Sequence, residues 1–267
     1  MPDIRRGIYI LPSLFTGANL AIGFLSMLYS IENQFTAAAW AIMASILMDV
    51  LDGRVARMTN TTSRFGVEFD SLSDLTSFGI APAVLMYQLV LNGMGKPGIA
   101  IALMYVLAGA LRLARFNVKA QDGEAGSSFL GLPIPAGAGM LASFVLSYEL
   151  FLNGQQVTVK TIPIIMHRMP FFYNILPVFM IVISILMIST VPYAAFKKFK
   201  PSRPKSLQLI TLLMVTILFI IAFPQNSIFI LFLAYLLSGF VAYIFRYWRL
   251  RASLINSFKL KRPSDRP

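Results

Sequence analysis

Apolar runs of roughly twenty residues, the length that crosses a bilayer core, follow one another along almost the whole chain. They predict membrane spans at 9–31, 36–57, 70–93, 97–116, 134–153, 171–196, 207–224 and 226–246. The expected fold is all-α, a polytopic transmembrane helical bundle of about eight spans. Composition agrees: charged residues make up 13% of the chain and hydrophobic ones 57%, with a mean hydropathy of +0.71. Soluble domains carry about 25% charged residues. The first run follows Arg5 and Arg6, as a signal peptide would. It exceeds the length of such a peptide's apolar core and lacks a small-residue cleavage site, so it reads as a retained helix. With no cysteine in the chain, disulfides and thiolate metal sites are excluded.

The formal net charge is +12, yet the basic residues sit between apolar runs rather than in one nucleic-acid-binding patch. They read as topology determinants and as contacts for anionic headgroups or phosphates, and no nucleic-acid partner is expected. With the N-terminus inside, 20 of the 23 basic residues fall on inner segments. Only Lys96, Lys160 and Arg168 fall outside. Both termini are therefore expected in the cytoplasm of a multi-pass cell-membrane protein. The basic loop 197–206 divides a six-helix core, 1–196, from two further helices at 207–246, and a basic tail occupies 247–267. The one histidine, His167, falls in an outer loop and reads as structural. Glu149, inside the fifth span, receives no role.

Against this apolar background four aspartates stand out, in DVLDGRVAR at 49–57 and GVEFDSLSD at 66–74. Asp49 and Asp52 are three apart at the end of the second span. Asp70 and Asp74 are four apart at the start of the third. Helical residues at these spacings share a face, so two neighbouring helices would aim both pairs at one volume. An ionised residue in a span costs about 2.5–3.5 kcal/mol on insertion scales, and four together also repel. Solvation at the surface or pairing with Arg54, Arg57 and Arg64 would relieve some of this, but leaves the regular spacing unexplained. Divalent cations such as Mg²⁺ or Mn²⁺ suit carboxylate oxygens, and four aspartates can hold two ions. Gly53 and Ala56 would admit a bulky ligand close to the helix, or a neighbouring helix. Arg57 can grip phosphate in a bidentate manner, and Gly66 could let backbone approach a ligand or form the turn. Together they suggest a diphosphate-linked substrate.

The pattern Asp49-x-x-Asp52-Gly53-x-x-Ala56-Arg57, eight residues, then Gly66-x-x-x-Asp70-x-x-x-Asp74 resembles the motif of the CDP-alcohol phosphatidyltransferases. It matches in residue type and spacing across its whole length. The resemblance implies a six-helix, usually dimeric core, and hence a homodimer here. It implies two divalent cations on Asp49, Asp52, Asp70 and Asp74, with Asp74 also the general base toward the acceptor alcohol. Gly53, Ala56, Arg57 and Gly66 would line the CDP pocket. ILPSLFTGANLAIGFLS near the N-terminus, LRLARFNVK at 111–119 and FLGLPIPAGAG at 129–139 resemble the serine-using branch. On that resemblance the substrates would be CDP-diacylglycerol and L-serine, with Arg112, Arg115 and Asn117 as candidate serine contacts. Those arginines also fit a positive-inside role or donor phosphates.

Rival readings keep the chemistry but change the acceptor, to glycerol-3-phosphate, inositol phosphate or a second lipid. An intramembrane prenyltransferase also uses aspartate clusters and Mg²⁺, but the glycine, alanine and arginine spacing favours cytidine. A transporter would place ionisable groups near the midplane, often in related halves. Here they gather at one face and no repeat is visible.

Overall fold

A computed structural model describes residues 3–59, 63–121, 129–153, 171–193, 214, 226–239 and 241. Helix α1 (Asp3–Ile31) leads through a tight turn into α2 (Phe35–Thr59). The turn is closed by Asn33, which adopts a left-handed φ of 61° and donates its N–H to the Ser30 carbonyl. Helix α3 (Arg64–Asp74) begins at Ser63, whose hydroxyl accepts the Gly66 N–H at 2.9 Å. This supplies one of the partners a helix N-terminus lacks.

The third expected span is one rod of changing pitch. Helix α3 passes directly into a π-helical stretch, Leu75–Ile80, and then into α4 (Ala81–Leu89). Pro82 lacks an N–H, so the carbonyl of Phe78, four residues back, loses the donor an α-helix would supply. The Tyr105 hydroxyl donates to it instead at 3.1 Å. A short 3₁₀ turn, Leu91–Met94, joins this rod to α5 (Lys96–Gln121). Strand β1 (Phe129–Leu130) precedes α6 (Ile134–Asn153). Helix α7 (Phe171–Ile188) is followed by β2 (Pro192–Tyr193), and α8 spans Asn226–Gly239.

The all-helical expectation holds apart from the two-residue antiparallel pairing of β1 with β2. The expected sixth span, 171–196, is too long, because α7 ends at Ile188. Beyond it the Val191 carbonyl accepts the Gly131 N–H at 2.9 Å. Gly131 sits at a φ of 85°, with its α-carbon against the Met187 carbonyl, a position a side chain would block. Among the described residues, three helices are long and apolar enough to cross a membrane: Ser13–Ile31, Phe35–Thr59 and Lys96–Lys119. The seventh expected span apart from Met214, the basic loop and tail, and His167 lie outside the described residues, as does the side chain of Glu149.

Helix α1 packs against α2, α3, the π-helical stretch and α4, while α5 packs against α7 and α2 against α6. Close approach rests on glycines. A β-carbon on Gly23 would run into Ser77, on Gly109 into Ile134, on Gly137 into Met187 and on Gly139 into Phe232 of α8. Buried serines at 26, 45, 73, 77, 143, 147 and 184 line these seams, the small polar residues that membrane helices use to pack. Conversely Ile99, Leu103, Leu107 and Leu111 form an i, i+4 stripe along α5, each more than half exposed. In water such a stripe would be costly; acyl chains would accommodate it.

Candidate active site

Asp49 and Asp52 lie in about the last three turns of α2, and Asp70 and Asp74 lie on α3. One carboxylate oxygen each from Asp49, Asp70 and Asp74 lie within 4.8 Å of one another. Asp52 stands beside this group, close enough to act electrostatically on Asp49, Asp70 and Asp74. Its Oδ2 accepts the Thr16 hydroxyl at 3.0 Å. So three of the four aspartates predicted as ligands form the tight group, and the fourth is tethered to α1.

That tether shows how the site is assembled. Helix α1 bridges α2 and α3 through two residues one turn apart. The Thr16 hydroxyl reaches Asp52 while its backbone carbonyl accepts Ser73 Oγ at 3.0 Å. The Asn19 amide donates to Asp74 Oδ1 over a long 3.4 Å. The Asn19 backbone carbonyl accepts Ser45 Oγ of α2 at 3.2 Å and Ser77 Oγ of the π-helical stretch at 2.9 Å. Asn19 is fully buried and Thr16 nearly so. Polar groups so placed inside a span are costly unless partnered, and here the carboxylates partner the Thr16 hydroxyl and the Asn19 amide nitrogen. Sequence reasoning did not single out either residue. The available signal was TGAN, two polar side chains three apart inside an otherwise apolar span.

The donor set suits a hard divalent cation, which takes oxygen ligands. Among the described residues, Asp70 Oδ1 is buried without a hydrogen-bond partner, an oxygen left available to a metal. Residues that could hold an ion are Asp49, Asp70 and Asp74.

Gly53 behaves unlike the packing glycines. A β-carbon there would meet only the Arg57 guanidinium, 3.8 Å away, which is ordinary contact. The fold therefore does not require glycine at 53, and its open side lies beside Arg57. At Gly66 a β-carbon would meet only the capping Ser63 hydroxyl, at 3.1 Å. Ala56 is half-buried on the same terminal turns of α2.

The three residues predicted to contact serine separate. Arg112 lies within electrostatic reach of both Asp74 and Tyr235 of α8, and its Nε is buried without a hydrogen-bond partner among the described residues. Arg115 donates to the Ile188 carbonyl at 3.3 Å, which caps the negative C-terminus of α7. Asn117 donates to Ser71 Oγ on α3 at 2.9 Å. Only Arg112 is brought to the carboxylates; the other two tie α5 to its neighbours.

Comparison with known proteins agrees with this geometry. The family model of the CDP-alcohol phosphatidyltransferases matches residues 9–169. The chain is 36% identical over 241 residues to the CDP-diacylglycerol–serine O-phosphatidyltransferase of Helicobacter pylori, covering 89% of this chain and 92% of that one. It is 34% identical over 239 residues to the protein of the same name in Methanocaldococcus jannaschii, covering 90% and 96%. It is 37% identical over 187 residues to the archaetidylserine synthase of Methanothermobacter thermautotrophicus, covering 68% and 69%. With its motif intact and its aspartates gathered at one site, this membrane protein belongs to the CDP-alcohol phosphatidyltransferase family of transferases.

Proposed function

We propose that the protein transfers the phosphatidyl group of CDP-diacylglycerol to the hydroxyl of L-serine, giving phosphatidylserine and CMP. The convergence of Asp49, Asp70 and Asp74 beside a glycine that the fold does not require carries this reading. The names of relatives covering nine-tenths of the chain support serine as the acceptor. The proposed enzyme is a homodimer with eight spans per chain, both termini and the site facing the cytoplasm.

The lipid tails of the donor stay in the bilayer and its CDP lies along the end of α2, over Gly53 and Ala56 and toward Gly66. Arg57 takes phosphate oxygens. Two divalent cations, Mg²⁺ or Mn²⁺, held by Asp49, Asp52, Asp70 and Asp74, would supply neutralising charge for the diphosphate and the departing CMP. Arg112, the basic residue beside Asp74, receives the serine carboxylate. Arg115 and Asn117, which also tie α5 to α7 and α3, are further candidate serine contacts. Asp74 accepts the proton of the serine hydroxyl while the oxygen forms a bond to the lipid-side phosphorus. The bond from that phosphorus to the CMP oxygen breaks, and CMP leaves with the electron pair. A carboxylate is a weak base, so much of Asp74's contribution is to hold the hydroxyl in line.

Purified protein in detergent, given CDP-diacylglycerol, Mg²⁺ or Mn²⁺ and candidate alcohols in turn, should release CMP with serine. Glycerol-3-phosphate and inositol phosphate should give none. Release with either of these and not with serine would assign a different acceptor.

A further inference from the structure

Asn19 is the most deeply buried polar side chain touching the carboxylates, with no exposed surface. Its amide nitrogen meets Asp74, an orientation the carboxylate dictates, since a carbonyl oxygen turned toward it would be repelled. The other half of the same amide, Oδ1, is buried with no hydrogen-bond partner among the described residues. A buried acceptor left unpaired is destabilising, so it is retained where something else pairs with it.

Serine carries two donors on adjacent carbons, a hydroxyl and an ammonium. A receptor for that fragment needs an acceptor for each, side by side. Asp74 and Asn19 Oδ1 form such a pair, joined through the Asn19 amide. We propose that Asn19 is a specificity-determining residue: Nδ2 fixes the Asp74 carboxylate, and Oδ1 accepts a hydrogen bond from the ammonium of the incoming 2-amino alcohol. With Arg112 on the carboxylate, all three polar groups of serine then have a protein partner. A glycerol-type acceptor, lacking the amine, leaves Oδ1 unpaired and is disfavoured for that reason. This rests on the serine reading above.

The backbone of residue 19 makes its own bonds to Ser45 and Ser77, so truncating the side chain leaves the helix junction in place. In purified full-length protein, Asn19→Ala should raise the KM for serine by at least about tenfold with little change in the KM for CDP-diacylglycerol. It should also narrow the preference for serine over 3-hydroxypropanoate, which lacks the amine. Asn19→Ser, which keeps a smaller acceptor, should fall between, and serves alone if Asn19→Ala does not fold. An unchanged serine KM in a folded variant overturns the proposal. So does an unchanged preference accompanied by weaker Mn²⁺ binding, which would assign Oδ1 to the metal site instead. Failure of the wild-type protein to use serine at all would instead strike the serine reading itself.

Discussion

Asp74 sits where three helices meet, held from α1 by Asn19 and facing Arg112 from α5. Asp74→Asn keeps the shape and removes the base, so CMP release should fall by roughly 10²–10⁴-fold with the melting temperature nearly unchanged. Substantial turnover in that variant would remove Asp74 from the role of base. Thr16 acts one step further out, through its hydroxyl on Asp52. Thr16→Val keeps the volume and should weaken Mn²⁺ binding by about 10–100-fold, the usual effect of losing a group that orients a ligand; a metal titration followed by electron paramagnetic resonance reads this directly. The aspartates were legible in the sequence because their chemistry is written within 26 consecutive positions. Thr16 and Asn19 were not, since a polar residue in an apolar span looks the same whether it seals a helix seam or holds a carboxylate. That Arg115 meets the Ile188 carbonyl and Asn117 the Ser71 hydroxyl was not legible either, because spacing reports a helix face but not the neighbour it meets.

At the scale of elements, two kinds of glycine carry opposite expectations. Gly23 lets α1 lie against the π-helical stretch at Ser77. Gly23→Ala should destabilise the protein by about 1–3 kcal/mol, seen as a lower melting temperature in detergent. Gly53→Ala meets no backbone and replaces glycine by a residue better in helices by about 1 kcal/mol. Its melting temperature should hold or rise while the KM for CDP-diacylglycerol increases severalfold. An unchanged KM would mean that the open side of Gly53 serves no ligand. Among the described residues, three of the runs form helices long and apolar enough to cross a membrane, and helix order there followed from apolar run length. The boundaries did not: α3 starts at Arg64 with its Ser63 cap, six residues before the expected span. The π-helical stretch also went unforeseen, because neither run length nor spacing shows that the Phe78 carbonyl is met by the distant Tyr105 hydroxyl.

For the whole molecule, the fold is a bundle that turns apolar side chains outward along α5 and carboxylates inward where α1, α2 and α3 meet. Its orientation was inferred from charge alone. The chain has no cysteine, so single introduced ones report cleanly. Lys96→Cys, before the transmembrane stretch of α5, should react with a membrane-impermeant maleimide in intact cells. Lys119→Cys, at its other end, should react only after permeabilisation. The reverse pattern would put the site on the outer face. The transfer itself is tested most directly with labelled serine: protein in CDP-diacylglycerol vesicles with Mg²⁺ or Mn²⁺ should move label into extractable lipid, mole for mole with CMP. CMP released with no label in lipid, or at a rate indifferent to serine, would contradict phosphatidyl transfer to serine.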